Sequence, residues 1–77
     1  MKEELIKRMI EEEKWARSVR RKYANWEFIN KQPPRIKAAL IYLIETGDFR
    51  EAARIAKMNI EEFMYLAKYK ANIYSCP

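Results

Sequence analysis

The chain has 77 residues, 49% of them hydrophobic and 35% charged, with 16 Lys and Arg against 11 Asp and Glu for a net charge of +5. That length supports one small domain burying only about 60% of its unfolded surface, so self-association would add burial that the chain alone lacks. The balance excludes a disordered chain, no apolar run reaches the roughly 20 residues of a membrane span, and the absence of His beside a single cysteine, Cys76, excludes an internal disulfide and leaves no basis for a zinc site.

The N-terminal MKEELIKR is charged throughout and is no secretory signal, so a cytoplasmic location is expected. The positive charge suits nucleic acid first and an anionic membrane surface second. One Gly, one Gln, no His and abundant Ile, Glu, Lys and Arg resemble the composition of thermophile proteins.

Residues Lys2 to Asn30 read as one long helix uninterrupted by Gly or Pro. Leu5, Met9, Ala16, Val19, Tyr23 and Trp26 fall on one stripe at spacings of three and four, with Glu12 as its polar exception, and Ile6 and Ile10 widen it. Glu3 with Lys7, Glu4 with Arg8 and Glu13 with Arg17 stand four apart in the favourable acid-first order. The stripe spacing is also that of a heptad, which makes Leu5, Ile6, Met9 and Ile10 candidates for a homodimer seam; burial against the chain's own helices is the competing use. The run Lys14–Lys22, KWARSVRRK, has five positive charges and no acid. It is either a phosphate-tracking patch, with Arg17, Arg20 and Arg21 as contacts, or a solvated face beside aromatic core anchors. A membrane-surface helix is disfavoured by Glu11, Glu12 and Glu13 next to it.

Pro33 and Pro34 end this block. The stretch Arg35–Thr46 is a second helix, apolar nearly all round and so expected at the centre of the domain, closed by Gly47 as a left-handed cap. Asp48, three residues before Glu51, and Asn59, three before Glu62, have capping-box spacing and open two further helices. Ala52, Ala53 and Ala56 give the first a small-residue face, and Phe63, Leu66 and Ala67 give the second an apolar one. This is the plan of a helix-turn-helix, whose bland counterpart is a plain helical hairpin. Lys57 stands where the motif usually has a turn glycine, so the lysine either takes a strained conformation or shifts the turn to Asn59. In a DNA-binding use, Asn59, Tyr65, Lys68 and Tyr69 face the groove and Arg50, Arg54 and Lys57 contact phosphates, while Glu61 in the first turn opposes them. The same tyrosines suit a protein interface. Asn72 ends the last helix, and Ile73 and Tyr74 fold back onto the core.

From Ala38 to Tyr74 the chain resembles the C-terminal half of a family of small archaeal and bacterial helix-turn-helix proteins predicted to be antitoxins of the VapB type. The resemblance lies in Ala39-Leu40 with Tyr42, in Gly47, in Ala52-Ala53 with Ile55-Ala56 and Met58, in Glu62-Phe63 with Leu66, and in Ile73-Tyr74. It covers about half the chain, mostly core and turn residues, and departs from the family at Lys57 and in the basic N-terminal helix. It implies a DNA-binding or toxin-partner role.

The expectation is therefore an all-α fold: a long N-terminal helix over residues 1–32, then a trihelical helix-turn-helix unit over 33–77, the two forming one small domain. The expected function is a non-enzymatic DNA-binding regulator acting as a homodimer on double-stranded DNA, with no cofactor or metal. Lacking His, a G-x-S-x-G motif and a Gly-rich phosphate loop, the chain offers no catalytic residues. The alternative is a protein-interaction module that binds a partner, such as a toxin, through the long helix and the tyrosine-rich surface.

Overall fold

Pro33 and Pro34 start a helix because their fixed φ suits its first turn and the missing N–H of Pro34 falls where no helical acceptor exists. In the computed structural model, which describes residues 2–73, Pro33 holds φ −55° and ψ 153° and the helix runs Pro34–Thr46. Every regular element among the described residues is a helix: α1 Lys2–Tyr23, α2 Trp26–Asn30, α3 Pro34–Thr46, α4 Phe49–Ala56 and α5 Ile60–Tyr65, continued by a π-helical segment, Leu66–Lys70. Tyr74, expected to fold back onto the core, lies outside the described residues, as does Cys76.

The apolar α3 is central, as its pattern predicts. Its Ala39, Leu40, Leu43 and Ile44 are completely buried, with Ile29 from α2, Phe63 from α5 and Ile73 equally so. Gly47 closes α3 in the left-handed region at φ 74°, its N–H donating to the Leu43 carbonyl at 2.7 Å. The alanine face of α4 is buried as expected: Ala52, Ala53 and Ala56 let α4 lie close to its neighbours.

Lys57 takes the left-handed position itself, at φ 55°, and Asn59 stays at φ −59°. The Lys57 N–H donates to the Arg54 carbonyl at 3.0 Å and the Met58 N–H to the Ala53 carbonyl at 3.0 Å. That double closure is the Schellman motif, and it holds a non-glycine residue in a region that costs it about 1–2 kcal/mol.

The first block departs from its expected form in its ion pairing, where Glu13 pairs with Arg20 and not with Arg17, and in its length. The helix does not reach Asn30; it ends at Tyr23, and Trp26 belongs to the separate α2. The cause is side-chain competition for the backbone. Asn25 Oδ1 accepts from the Phe28 N–H at 3.1 Å and caps α2, while the Asn25 N–H turns to the Ala71 carbonyl at 2.7 Å. Asn72 Nδ2 donates to the Tyr23 carbonyl at 2.8 Å, satisfying an acceptor that the end of α1 leaves open. The break is thus stitched to the end of the π-helical segment, and the change of direction carries Ile29 into the core.

The two capping boxes are single caps. Asp48 accepts from Glu51 N–H at 3.1 Å, but its own N–H goes to Thr46 Oγ1 at 3.1 Å and Glu51 pairs with Arg54. Asn59 accepts from Glu61 N–H at 2.8 Å, one residue earlier than the box spacing requires. Beyond α5 the chain widens into π geometry, with the Ala71 N–H reaching the Leu66 carbonyl at 3.0 Å, and closes at Asn72, also left-handed at φ 55°.

The radius of gyration is 13.3 Å and the principal extents are 44 × 23 × 18 Å. A compact chain of this length would have a radius near 11–12 Å. The excess comes from α1, whose 22 residues span about 33 Å. Only its C-terminal half meets the other helices; every residue from Lys2 to Trp15 is exposed.

Candidate nucleic-acid interface

The helix-turn-helix unit is two-sided. One side of α4, Phe49, Ala52, Ala53 and Ala56, is buried. On the other side Arg50 and Arg54, four apart, are exposed together, and Lys57 is exposed just past the end of the helix. Arg54 is engaged by Glu51 at 3.3 Å, an exposed pair that competes weakly with any incoming anion.

On the following helix Tyr65 and Tyr69 are well exposed, and their rings lie 5.1 Å apart at 44°. Their one-turn spacing keeps them adjacent across the change from α to π geometry. Lys68 is drawn elsewhere: it is only partly exposed and its Nζ lies 6.0 Å from the centre of the Phe49 ring, covering the core. The side-chain oxygen of Asn59 is committed to the cap. Glu61 and Glu62 are exposed in the first turn of α5, a negative strip beside the basic residues. Of the four expected groove residues, then, the structure brings Tyr65 and Tyr69 together, spends Asn59's acceptor on the helix start and turns Lys68 toward Phe49.

The three arginines of the basic run of α1 are engaged by other groups of the molecule, and one of them is buried. Arg20 is a correction to the expected phosphate contacts: it is only 6% exposed. Its Nε donates to the Ile44 carbonyl at 2.8 Å and its guanidinium pairs with Glu13 at 3.0 Å. Bonding a carbonyl near the end of α3, it binds α1 to the domain. Arg21 pairs with Glu45, and Arg17 Nε lies 3.8 Å from the same carboxylate, near enough for attraction but too long for a hydrogen bond. Both arginines remain partly exposed and can still meet a phosphate, but only in competition with Glu45. Lys14 and Lys22 stay exposed; Lys22 Nζ lies 5.5 Å from the Tyr23 ring. Glu45 went unrecognised in the sequence because its partners stand 24 and 28 residues away, beyond any helical spacing.

The candidate seam residues lie together on the overhanging part of α1. Leu5, Ile6, Met9 and Ile10 are 59%, 54%, 61% and 50% exposed, and a shallow groove runs along Ile6, Met9, Ile10, Glu13, Lys14 and Arg17. No other part of the described chain covers them.

Among the described residues no group of three or more His, Cys, Asp and Glu side chains could hold a metal ion, and no helix is long and apolar enough to cross a membrane. The chain matches no protein-family model, no curated protein and no solved structure.

Proposed function

We propose that this chain is a non-enzymatic DNA-binding regulator, a homodimer that occupies promoter DNA through its helix-turn-helix unit. The observation that carries the reading is the exposed pair Arg50 and Arg54 on the outer side of α4, with the exposed Lys57 in the turn that leads to the α5 start such motifs offer to the major groove. These three cations contact phosphates, with Arg17 and Arg21 in a subsidiary role because Glu45 holds them. Tyr65 and Tyr69 meet sugars and base edges farther along. Glu61 sets a requirement on the site: a carboxylate in the groove is tolerated where it accepts from cytosine N4 and is repelled elsewhere. The resemblance to predicted VapB-type antitoxins supports the same reading and adds a toxin as a second partner.

The test is a titration with mixed-sequence and then selected duplex DNA at several salt concentrations. Three phosphate contacts in each of two protomers give a log–log slope of affinity against salt near −5. No binding at roughly 50 mM salt, where electrostatic binding is strong, overturns the reading.

A second reading has its own observation. The exposed apolar stripe of α1 and the Tyr65–Tyr69 pair also suit a protein-interaction module that binds a partner such as a toxin. Absence of DNA binding together with saturable binding of a partner protein would favour it.

A further inference from the structure

The exposed stripe of α1 is not on an arbitrary side of that helix. Arg20 marks the side that docks on the domain, since it is buried against α3. Counting back at about 3.6 residues per turn, Glu13 is two turns before Arg20, Met9 three and Ile6 four. Glu13 confirms the alignment by pairing with Arg20 at 3.0 Å. The apolar stripe is thus the docking face of α1 continued past the end of the domain, and the space in front of it lies in line with α3.

We infer that this space is filled by the same segment of a second copy, running antiparallel. Two features select the copy and its direction. The first is steric. In a parallel pair the two C-terminal halves would also face each other, and each already carries its own α3 on that face, so two domains would need the same volume. An antiparallel partner overlaps only along residues 2–13 and carries its domain away at the far end.

The second feature is charge. With the two-fold axis between Lys7 and Arg8, residues whose numbers add to 15 lie level with each other; those on the apolar face meet, while Glu3 and the partner's Glu12 stand on opposite flanks. Ile6 meets the partner's Met9, Leu5 meets the partner's Ile10, and Lys2 meets the partner's Glu13, whose carboxylate also binds Arg20. On the flank, Glu3 comes near the partner's Lys14. In-register parallel pairing would instead set Lys2 against Lys2 and Glu13 against Glu13. Opposite charges close both ends of a four-residue apolar seam only in the antiparallel arrangement. A seam this short belongs at the small end of specific interfaces, so the dimer is a reversible one.

The inference rests on the dimer of the proposed function and not on its DNA contacts, so a failed DNA titration leaves it standing. It is tested on the full chain carrying Cys76→Ser and Lys22→Cys, with a nitroxide label on the new thiol. Lys22 is exposed and outside the seam. Antiparallel pairing puts the two labels 29 residues apart along the helix direction, about 45 Å; parallel pairing puts them within about 25 Å. Light scattering at roughly 100 μM is expected to give a dimer. Leu5→Asp with Met9→Asp is expected to give a monomer with unchanged helical circular dichroism, as those side chains are exposed in the single chain. A monomeric parent, a short label distance, or a dimer indifferent to the Asp substitutions overturns the proposal.

Discussion

Arg20 illustrates how much one side chain can change the use of a whole helix. A guanidinium is costly to bury unless its donors are satisfied, and here one donor takes the Ile44 carbonyl while another takes Glu13. Replacement by Met keeps the stem and removes the donors. We expect Arg20→Met to lower stability by about 1–3 kcal/mol, the usual cost of a buried acceptor left without its partner, read as a shift of the urea midpoint at constant m. Lys57 is the opposite case, a residue in a conformation that suits glycine. Lys57→Gly removes the left-handed penalty at the expense of chain entropy, and a net gain of about 0.5–1 kcal/mol is expected in the same assay; a loss would contradict the strain assigned to the turn. The sequence could name Lys57 as anomalous because a turn position has a fixed chemical demand. It could not separate Arg20 from Arg17 and Arg21, because the three look alike in a basic run and only long-range packing decides which is buried.

At the scale of elements, legibility followed the punctuation. Pro34, Gly47, Asp48 and Asn59 each carry a local reason to start or stop a helix, and α3, α4 and α5 begin where those residues place them. The break after Tyr23 has no such local mark. The three-residue step from Tyr23 to Trp26 keeps the stripe running on paper, and the residues that break the helix, Asn25 and Asn72, lie 47 positions apart in sequence. The π geometry of Leu66–Lys70 was equally hidden, since its side chains would suit an α-helix. Asn25→Ala removes the α2 cap and is expected to cost about 1 kcal/mol. Ala53→Leu, in the close approach of α4, is expected to cost about 1–3 kcal/mol through overpacking, as measured by thermal or urea denaturation.

For the whole molecule, the central fact is an elongated chain with a compact helical unit and an overhanging amphipathic arm. Small domains are short of buried surface, and this one leaves Leu5, Ile6, Met9, Ile10 and Trp15 on the arm uncovered. Antiparallel pairing places the two helix-turn-helix units at opposite ends of the assembly. Hydrogen exchange gives a consequence particular to this geometry: amides from Leu5 to Glu12 should slow with rising protein concentration, and those of α3 should not. The candidate DNA surface was legible in part. The α4 pair Arg50 and Arg54 follows from spacing alone, whereas the loss of Arg20 to the interior, and the competition for Arg17 and Arg21, depend on where Glu13, Ile44 and Glu45 arrive.

The most direct measurement is the salt dependence of duplex binding for the parent chain, Arg50→Ala with Arg54→Ala, and Arg17→Ala with Arg21→Ala. If the α4 pair carries most of the phosphate contacts, the first pair shortens the parent slope of about −5 by about 3 to 4 units in a dimer. The second pair then changes it much less. Equal slopes for the parent and the Arg50/Arg54 variant, or a parent that does not bind duplex DNA, would contradict the account.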